Sequence, residues 1–303
     1  MRYRPLGATG LSVSEIGFGA ASWWGKPAFA ECQAIGLVHA AIDGGVTFFD
    51  TGSSYSAGEA EPRLGRALKG RDVSKLVVAS KGGTFHAGGG RIGRDFSAPA
   101  IVASAEQSLR NLGLDVLPLL QLHGPAIAEL TDGLRAALAD LKARGLVCAL
   151  GVNSFDPAVI EHVIGMADID VVMVDYNVLR PDREPLIARA AAAGKGVLAG
   201  MALAMGHTNL KVAKLWSPRD LWYAARGLGR HRAEVVKGAR YGFLGRVDGM
   251  TGAQAALAYV LANPHVACAV IGTTRLAHLH DNLAASGMTL PDEVIARVRA
   301  FPG

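Results

Sequence analysis

Short apolar runs recur along the chain and alternate with longer stretches in which apolar residues return every three or four positions. The runs are "IGFGA" (16–20), "VTFFD" (46–50), "LVVAS" (76–80), "VLPLLQL" (116–122), "VCALGV" (147–152), "VVMVDY" (171–176), "GVLAG" (196–200) and "CAVIG" (268–272). Each is short and almost continuously apolar, the pattern of a strand buried on both faces. The stretches between them, such as "AECQAIGLVHAAIDGG", "SAPAIVASAEQSLRNLG", "LTDGLRAALADLKARG" and "REPLIARAAAAGKG", have helical spacing, and several end at a glycine suited to a helix C-cap. Ahead of them all, "RPLGATGLSVSE" predicts a β-hairpin.

Eight strands joined by helices predict a parallel sheet covered on both faces. Its simplest closed form is a TIM (β/α)8 barrel, here one domain over 1–303 with an N-terminal β-hairpin and a long segment between the seventh and eighth strands. A doubly wound open sheet is the alternative. "GFGAAS" carries the first two glycines of that fold's fingerprint, but Ser22 stands where the third belongs.

Charge sharpens one part of this picture. The chain has 303 residues and a net charge of +5, and residues 206–250 alone hold nine Lys or Arg against three acids. That segment reads either as a solvated loop or as a basic lid that attracts a phosphate-bearing ligand. No nucleic-acid-binding motif accompanies it.

Residues 249–274 carry no Asp, Glu, Lys or Arg, yet Asn263, Pro264 and His265 interrupt them, so a helix followed by a strand is expected rather than a membrane span. "MRYRPLGATG" has no apolar leader core, which points to a cytoplasmic protein. Cys32, Cys148 and Cys268 are far apart and read as reduced core thiols. With no CxxC or HxxxH, and His278 and His280 two apart on a helix, no metal site is expected.

A barrel of this kind places its chemistry at the C-terminal ends of its strands. There the second strand ends in Asp50 with Tyr55 in the loop beyond, the third ends at Lys81, and the fourth at His123. Any one of them has a bland reading as a cap, a packed ring or a snorkelling amine. Lys81 and His123, however, close apolar runs, where an unpaired charge or ring nitrogen is costly, and these four groups can partner one another. An ammonium beside a phenol favours the phenolate and so loosens its proton. Lys81 can do this for Tyr55, Asp50 can hold Lys81 charged, and His123 can donate to a substrate oxygen. Tyr55 is then a proton donor to a carbonyl or a base toward an alcohol, in a site that needs a separate hydride carrier.

The motifs "FFDTGSSYSAGEAEPRLGRAL", "VVASKGG", "LLQLHGP", "GVNSF" and "VIGTTRLAHLHDNL" together make the chain resemble the aldo-keto reductases along nearly its whole length. The resemblance implies a TIM barrel with an extended nicotinamide cofactor across its rim and a tetrad of Asp50, Tyr55, Lys81 and His123. It implies a phosphate seat at Gly272, Thr273, Thr274 and Arg275, with Asn282 near the adenine. Around the nicotinamide it implies Gly19, Ala20, Asp50, Asn153, Ser154, Met173 and Gly200. Trp23 and Trp24, with Tyr55 and His123, are the implied substrate contacts, and Trp216, Trp222 and Tyr223 would lie in the basic lid.

The chain departs from the family pattern at three places. Asn153 and Ser154 replace Ser-Asn, Met173 replaces a Gln, and Gly200 replaces a Tyr that stacks on the nicotinamide. The "GVN" and "AG" positions resemble the aldose dehydrogenase branch. The resemblance therefore implies reduction of an aldehyde or ketone with NADPH, with NAD also possible and NAD-dependent oxidation of a sugar hemiacetal as the alternative. A non-catalytic cofactor-sensing subunit is the reading from another class. His123, where C=C-reducing members have Glu, favours a carbonyl.

Overall fold

The computed structural model describes residues 1–204 and 237–301. The predicted hairpin is present as β1 (Tyr3–Pro5) and β2 (Ser12–Ser14), with Arg4 opposite Val13. Beyond it the apolar runs form the barrel strands β3 (Ile16–Gly19), β4 (Phe48–Asp50) and β5 (Val77–Gly82). A second hairpin, β6 (Thr84–His86) and β7 (Ile92–Arg94), follows β5 directly. The barrel resumes with β8 (Leu117–His123), β9 (Val147–Asn153), β10 (Val171–Asp175), β11 (Gly196–Gly200) and β12 (Cys268–Ile271). All eight barrel strands are parallel to their neighbours, and β12 pairs with β3 to close the ring, which excludes the open doubly wound sheet.

Nine α-helices surround it among the described residues. They are α1 (Glu31–Asp43), α2 (Ala60–Leu68), α3 (Ala98–Leu112), α4 (Asp132–Ala143), α5 (Pro157–Ile164), α6 (Glu184–Ala192), α7 (Gly252–Ala262), α8 (Leu276–Leu283) and α9 (Asp292–Ala300). Local chemistry sets their ends. Thr131 accepts from the Leu134 N–H and Asp156 from that of Ala158. Thr251 and Gln254 cap each other reciprocally at the start of α7. Gly113 ends α3 in the left-handed conformation, φ 68°, as the C-cap reading expected.

Successive strand residues face opposite sides. Val78 of β5 therefore packs outward beneath the helices, whereas Val77 and Ala79 face the lumen. Phe48, Leu119, Ala149, Val171, Met173, Leu198 and Cys268 fill the lumen with them, and Leu6 and Val13 of the hairpin plug its lower end. Gly7 makes this plug possible: at φ 58° a Cβ there would stand 2.2 Å from the Gly196 nitrogen. The same alternation continues upward into Asp50 above Phe48, Lys81 above Ala79, Gln121 above Leu119 and Asn153 above Ala149. The lumen is thus apolar below and polar at the mouth.

One expectation is corrected. Cys268 is a buried lumen thiol, but Cys32 and Cys148 are exposed, Cys32 on α1 and Cys148 on the outward side of β9. The uncharged stretch 249–274 is α7 followed by β12, as expected, and no helix among the described residues is long and apolar enough to cross a membrane. Most of the basic segment, with Trp216, Trp222 and Tyr223, lies outside the described residues.

Candidate active site

Asp50 ends β4, Lys81 is the penultimate residue of β5 and His123 ends β8, so three adjacent strands deliver three members of the predicted tetrad. Tyr55 arrives from a single 3-10 turn, Tyr55–Gly58, just beyond β4. Lys81 is completely buried and Asp50 nearly so. The Lys81 Nζ donates to Asp50 Oδ1 at 2.5 Å and to the Thr51 carbonyl at 2.9 Å. It also hydrogen-bonds Tyr55, and it stands 4.8 Å from the centre of that ring. An ammonium has three protons, and this arrangement assigns one to each partner.

The electrostatics follow from that arrangement. Burial alone pulls the Lys81 ammonium down, but the Asp50 charge and the Tyr55 oxygen outweigh it and hold the pKa above the usual lysine value. Burial pushes Asp50 upward, against the pull of Lys81 and of the Gln121 amide, which donates to Asp50 Oδ1 at 3.2 Å. The ionised pair is stable only as a pair, because either charge alone at this depth would be uncompensated.

His123 presents its ring edge to Tyr55, with centroids 5.5 Å apart and planes at 83°. Burial first, then the charges of Lys81 and Arg94, push its pKa down to about 4, so the imidazole is neutral at physiological pH. Its Nδ1 lies 2.7 Å from the Thr84 hydroxyl.

The loop that carries Tyr55 is strained. Ser56 and Ala57 both have left-handed backbones, φ 54° and 64°, and the Ser56 hydroxyl is tied to the Ser22 carbonyl at 2.8 Å. Each such residue costs on the order of 1–2 kcal/mol. Below this loop, Glu61 of α2 is fully buried and accepts from Ser80, from Ser108 at 2.7 Å and from Asn111 at 2.9 Å. Those bonds lock α2 to β5 at the residue before Lys81, and to α3. Sequence reading missed Gln121, Thr84 and Glu61; the signal that could have found the last is an acid at helical spacing inside an otherwise apolar face.

Of the residues expected around a nicotinamide, Asn153, Met173 and Gly200 lie on three adjacent strands. Asn153 is level with Met173, and Gly200 with Asp175 next to it. The Asn153 amide donates to the Met173 sulfur at 2.6 Å, and Ser154 is buried beside them. A Cβ on Gly200 would meet Met173 Cγ at 3.3 Å and Sδ at 3.4 Å, so the thioether already occupies the space over Gly200. Across the mouth, Gly272 follows β12, and a Cβ there would touch only the Gly19 carbonyl, at 3.5 Å, with Ala20 next along β3. Thr273, Thr274 and Arg275 lead into α8, whose first turn has no capping side chain and no acid. Such a helix start, with an exposed arginine, fits a phosphate. Asn282 is buried on that helix.

The tryptophans separate. Trp23 is half-buried, whereas Trp24 is turned away from the mouth: its Nε1 donates to the Ala34 carbonyl at 3.1 Å and its ring meets Phe18 edge-on. Trp24 is packed in the core between β3 and α1, where its apolar face is sealed from water. No cluster of metal-ligating side chains occurs among the described residues.

The model of the aldo/keto reductase family matches residues 15–302. The structure of aldo-keto reductase AKR11C1 from Bacillus halodurans, in its holo form, superimposes with a TM-score of 0.82 at 26% identity, over 99% of this chain and 95% of that one. L-galactose dehydrogenase of Arabidopsis thaliana is 28% identical, covering 98% of this chain and 93% of that protein. D-threo-aldose 1-dehydrogenase of a Pseudomonas species is 27% identical, covering 97% of each. Barrel, hairpin and match agree over nearly the full length, and the chain belongs to the aldo/keto reductase family as one of its oxidoreductases.

Proposed function

We propose that this oxidoreductase reduces an aldehyde or ketone to an alcohol with a nicotinamide cofactor, NADPH in preference to NADH. The observation that carries the reading is the buried Lys81 ammonium shared among Asp50, Thr51 and Tyr55, beside a neutral His123. The chemistry a bound nicotinamide supplies is hydride transfer at the carbonyl carbon. The Tyr55 phenol gives its proton to the substrate oxygen, and the ammonium stabilises the phenolate left behind. Asp50 keeps the ammonium charged, and His123 donates a second hydrogen bond to that oxygen without adding a charge. Gly19, Ala20, Asn153, Ser154, Met173 and Gly200 would line the nicotinamide end. Gly272, Thr273, Thr274, Arg275 and Asn282 would hold the adenosine end, and Arg275 supports a 2′-phosphate. A role confined to cofactor sensing would have no use for the contact between Lys81 and Tyr55.

The same residues run in reverse for oxidation, with Tyr55 as base. Sugar hemiacetal oxidation is the second reading, favoured by the two relatives named as sugar dehydrogenases. The test is a panel of aldehydes, ketones and aldoses assayed with NADPH, NADH, NADP and NAD by nicotinamide absorbance. Turnover of simple carbonyls with NADPH is the expected result. Turnover confined to aldoses with NAD replaces the first reading by the second.

A further inference from the structure

Gly83 turns the chain sharply after β5, at φ 92°, and a Cβ there would strike the Phe96 ring at 2.1 Å. The turn brings Thr84, the first residue of β6, back over the mouth, where it is buried. Ser53 secures the turn by donating to the carbonyls of Lys81 at 3.0 Å and Thr84 at 2.9 Å. The Thr84 hydroxyl then stands between two groups, Ser54 Oγ at 3.0 Å and His123 Nδ1 at 2.7 Å. Ser54 is itself buried and directly precedes Tyr55.

We propose that Thr84, backed by Ser54, is the positioning residue that selects the tautomer of His123, holding Nδ1 as an acceptor so that Nε2 carries the proton toward the substrate oxygen. A hydroxyl has one proton to give and can accept at the same time. When Ser54 donates to Thr84 and Thr84 donates to Nδ1, each of the three groups is satisfied in one direction. The ring cannot become doubly protonated cheaply in this setting, since burial and the neighbouring Lys81 and Arg94 disfavour the imidazolium. The choice is therefore between two neutral forms, and a single hydrogen bond decides it. The Tyr55 ring packs perpendicular to the imidazole beside this bond.

The inference rests on His123 as donor to the substrate, so the test separates the two claims. Nitrogen-15 NMR of the substrate-free protein reads the His123 tautomer directly. The expected wild-type spectrum has Nε2 protonated and Nδ1 bare, with the preference lost in Thr84→Val and restored in Thr84→Ser. A wild-type ring protonated at Nδ1, or an unchanged tautomer in Thr84→Val, overturns the proposal. In parallel, kcat should fall about tenfold in Thr84→Val, the usual weight of one hydrogen bond, and recover in Thr84→Ser. A changed tautomer with unchanged kcat upholds the positioning role and instead refutes His123 as the donor. If Thr84→Val does not fold, Ser54→Ala takes its place, with a smaller shift of tautomer expected and an unchanged one counting against the proposal.

Discussion

The two sides of the barrel mouth are built on opposite principles. On the side of β4, β5 and β8, Asp50, Lys81 and Gln121 are buried and charged or polar, and each leans on the next. On the side of β9, β10 and β11, an amide meets a thioether and a glycine, with Met173 filling the space above Gly200. The first side is a set of mutually dependent charges and the second is adaptable packing around a polarizable sulfur. Fixed dipoles are what proton transfer needs, whereas a flat ring needs only a surface to lie on.

Substitutions should expose that difference. The largest effect is expected for Lys81→Met, which strands Asp50 in the lumen and should cost about 3–5 kcal/mol in denaturant unfolding. Adding Asp50→Asn should recover part of that loss, and a double variant as unstable as the single one would show that the pair is not the cause. Tyr55→Phe should retain the fold and dinucleotide binding while turnover drops at least ~10²-fold, within the usual range for general acid catalysis. Comparable turnover would remove Tyr55 from the mechanism.

Acid should act on the same side. His123 has a folded pKa of about 4 against an ordinary 6.5, so between those values the unfolded chain binds the extra proton. Stability should therefore fall as pH drops from about 6.5 toward 4, and His123→Asn should flatten that slope when unfolding midpoints are compared. A smaller loss, about 1–2 kcal/mol, is expected for Gln121→Leu, which removes one donor from Asp50. Met173→Leu, on the adaptable side, should change stability by under ~1.5 kcal/mol. A larger loss there would mean that the contact between Asn153 and the sulfur is a structural bond and would erase the contrast.

The barrel was legible because continuous apolar strands at a regular repeat leave few other ways to bury themselves. Strand edges moved by only a residue or two: β5 extends through Lys81 and β8 through His123, so both side chains belong to the ladder. The β6–β7 hairpin was not legible, since Gly88, Gly89 and Gly90 read as loop and its strands are three residues each. Trp24 misled for a related reason. Adjacent tryptophans look alike in sequence, and only the direction of the 3-10 turn at Ser22–Gly25 sends one of them into the core. Cys148 sits in an apolar run but at its lower end, where its outward-facing side chain is exposed.

Residue order alone determined the eightfold alternation, the strand ends bearing Asp50, Lys81 and His123, and the family motifs, because periodicity and spacing are local properties that survive without a fold. Which groups touch was decided only by closure of the barrel. The three-way division of the Lys81 protons, the hydroxyl bridge from Ser54 through Thr84 to His123, and the Met173 thioether over Gly200 join residues tens of positions apart. Burial made those contacts obligatory by removing the water that would otherwise have satisfied each group separately.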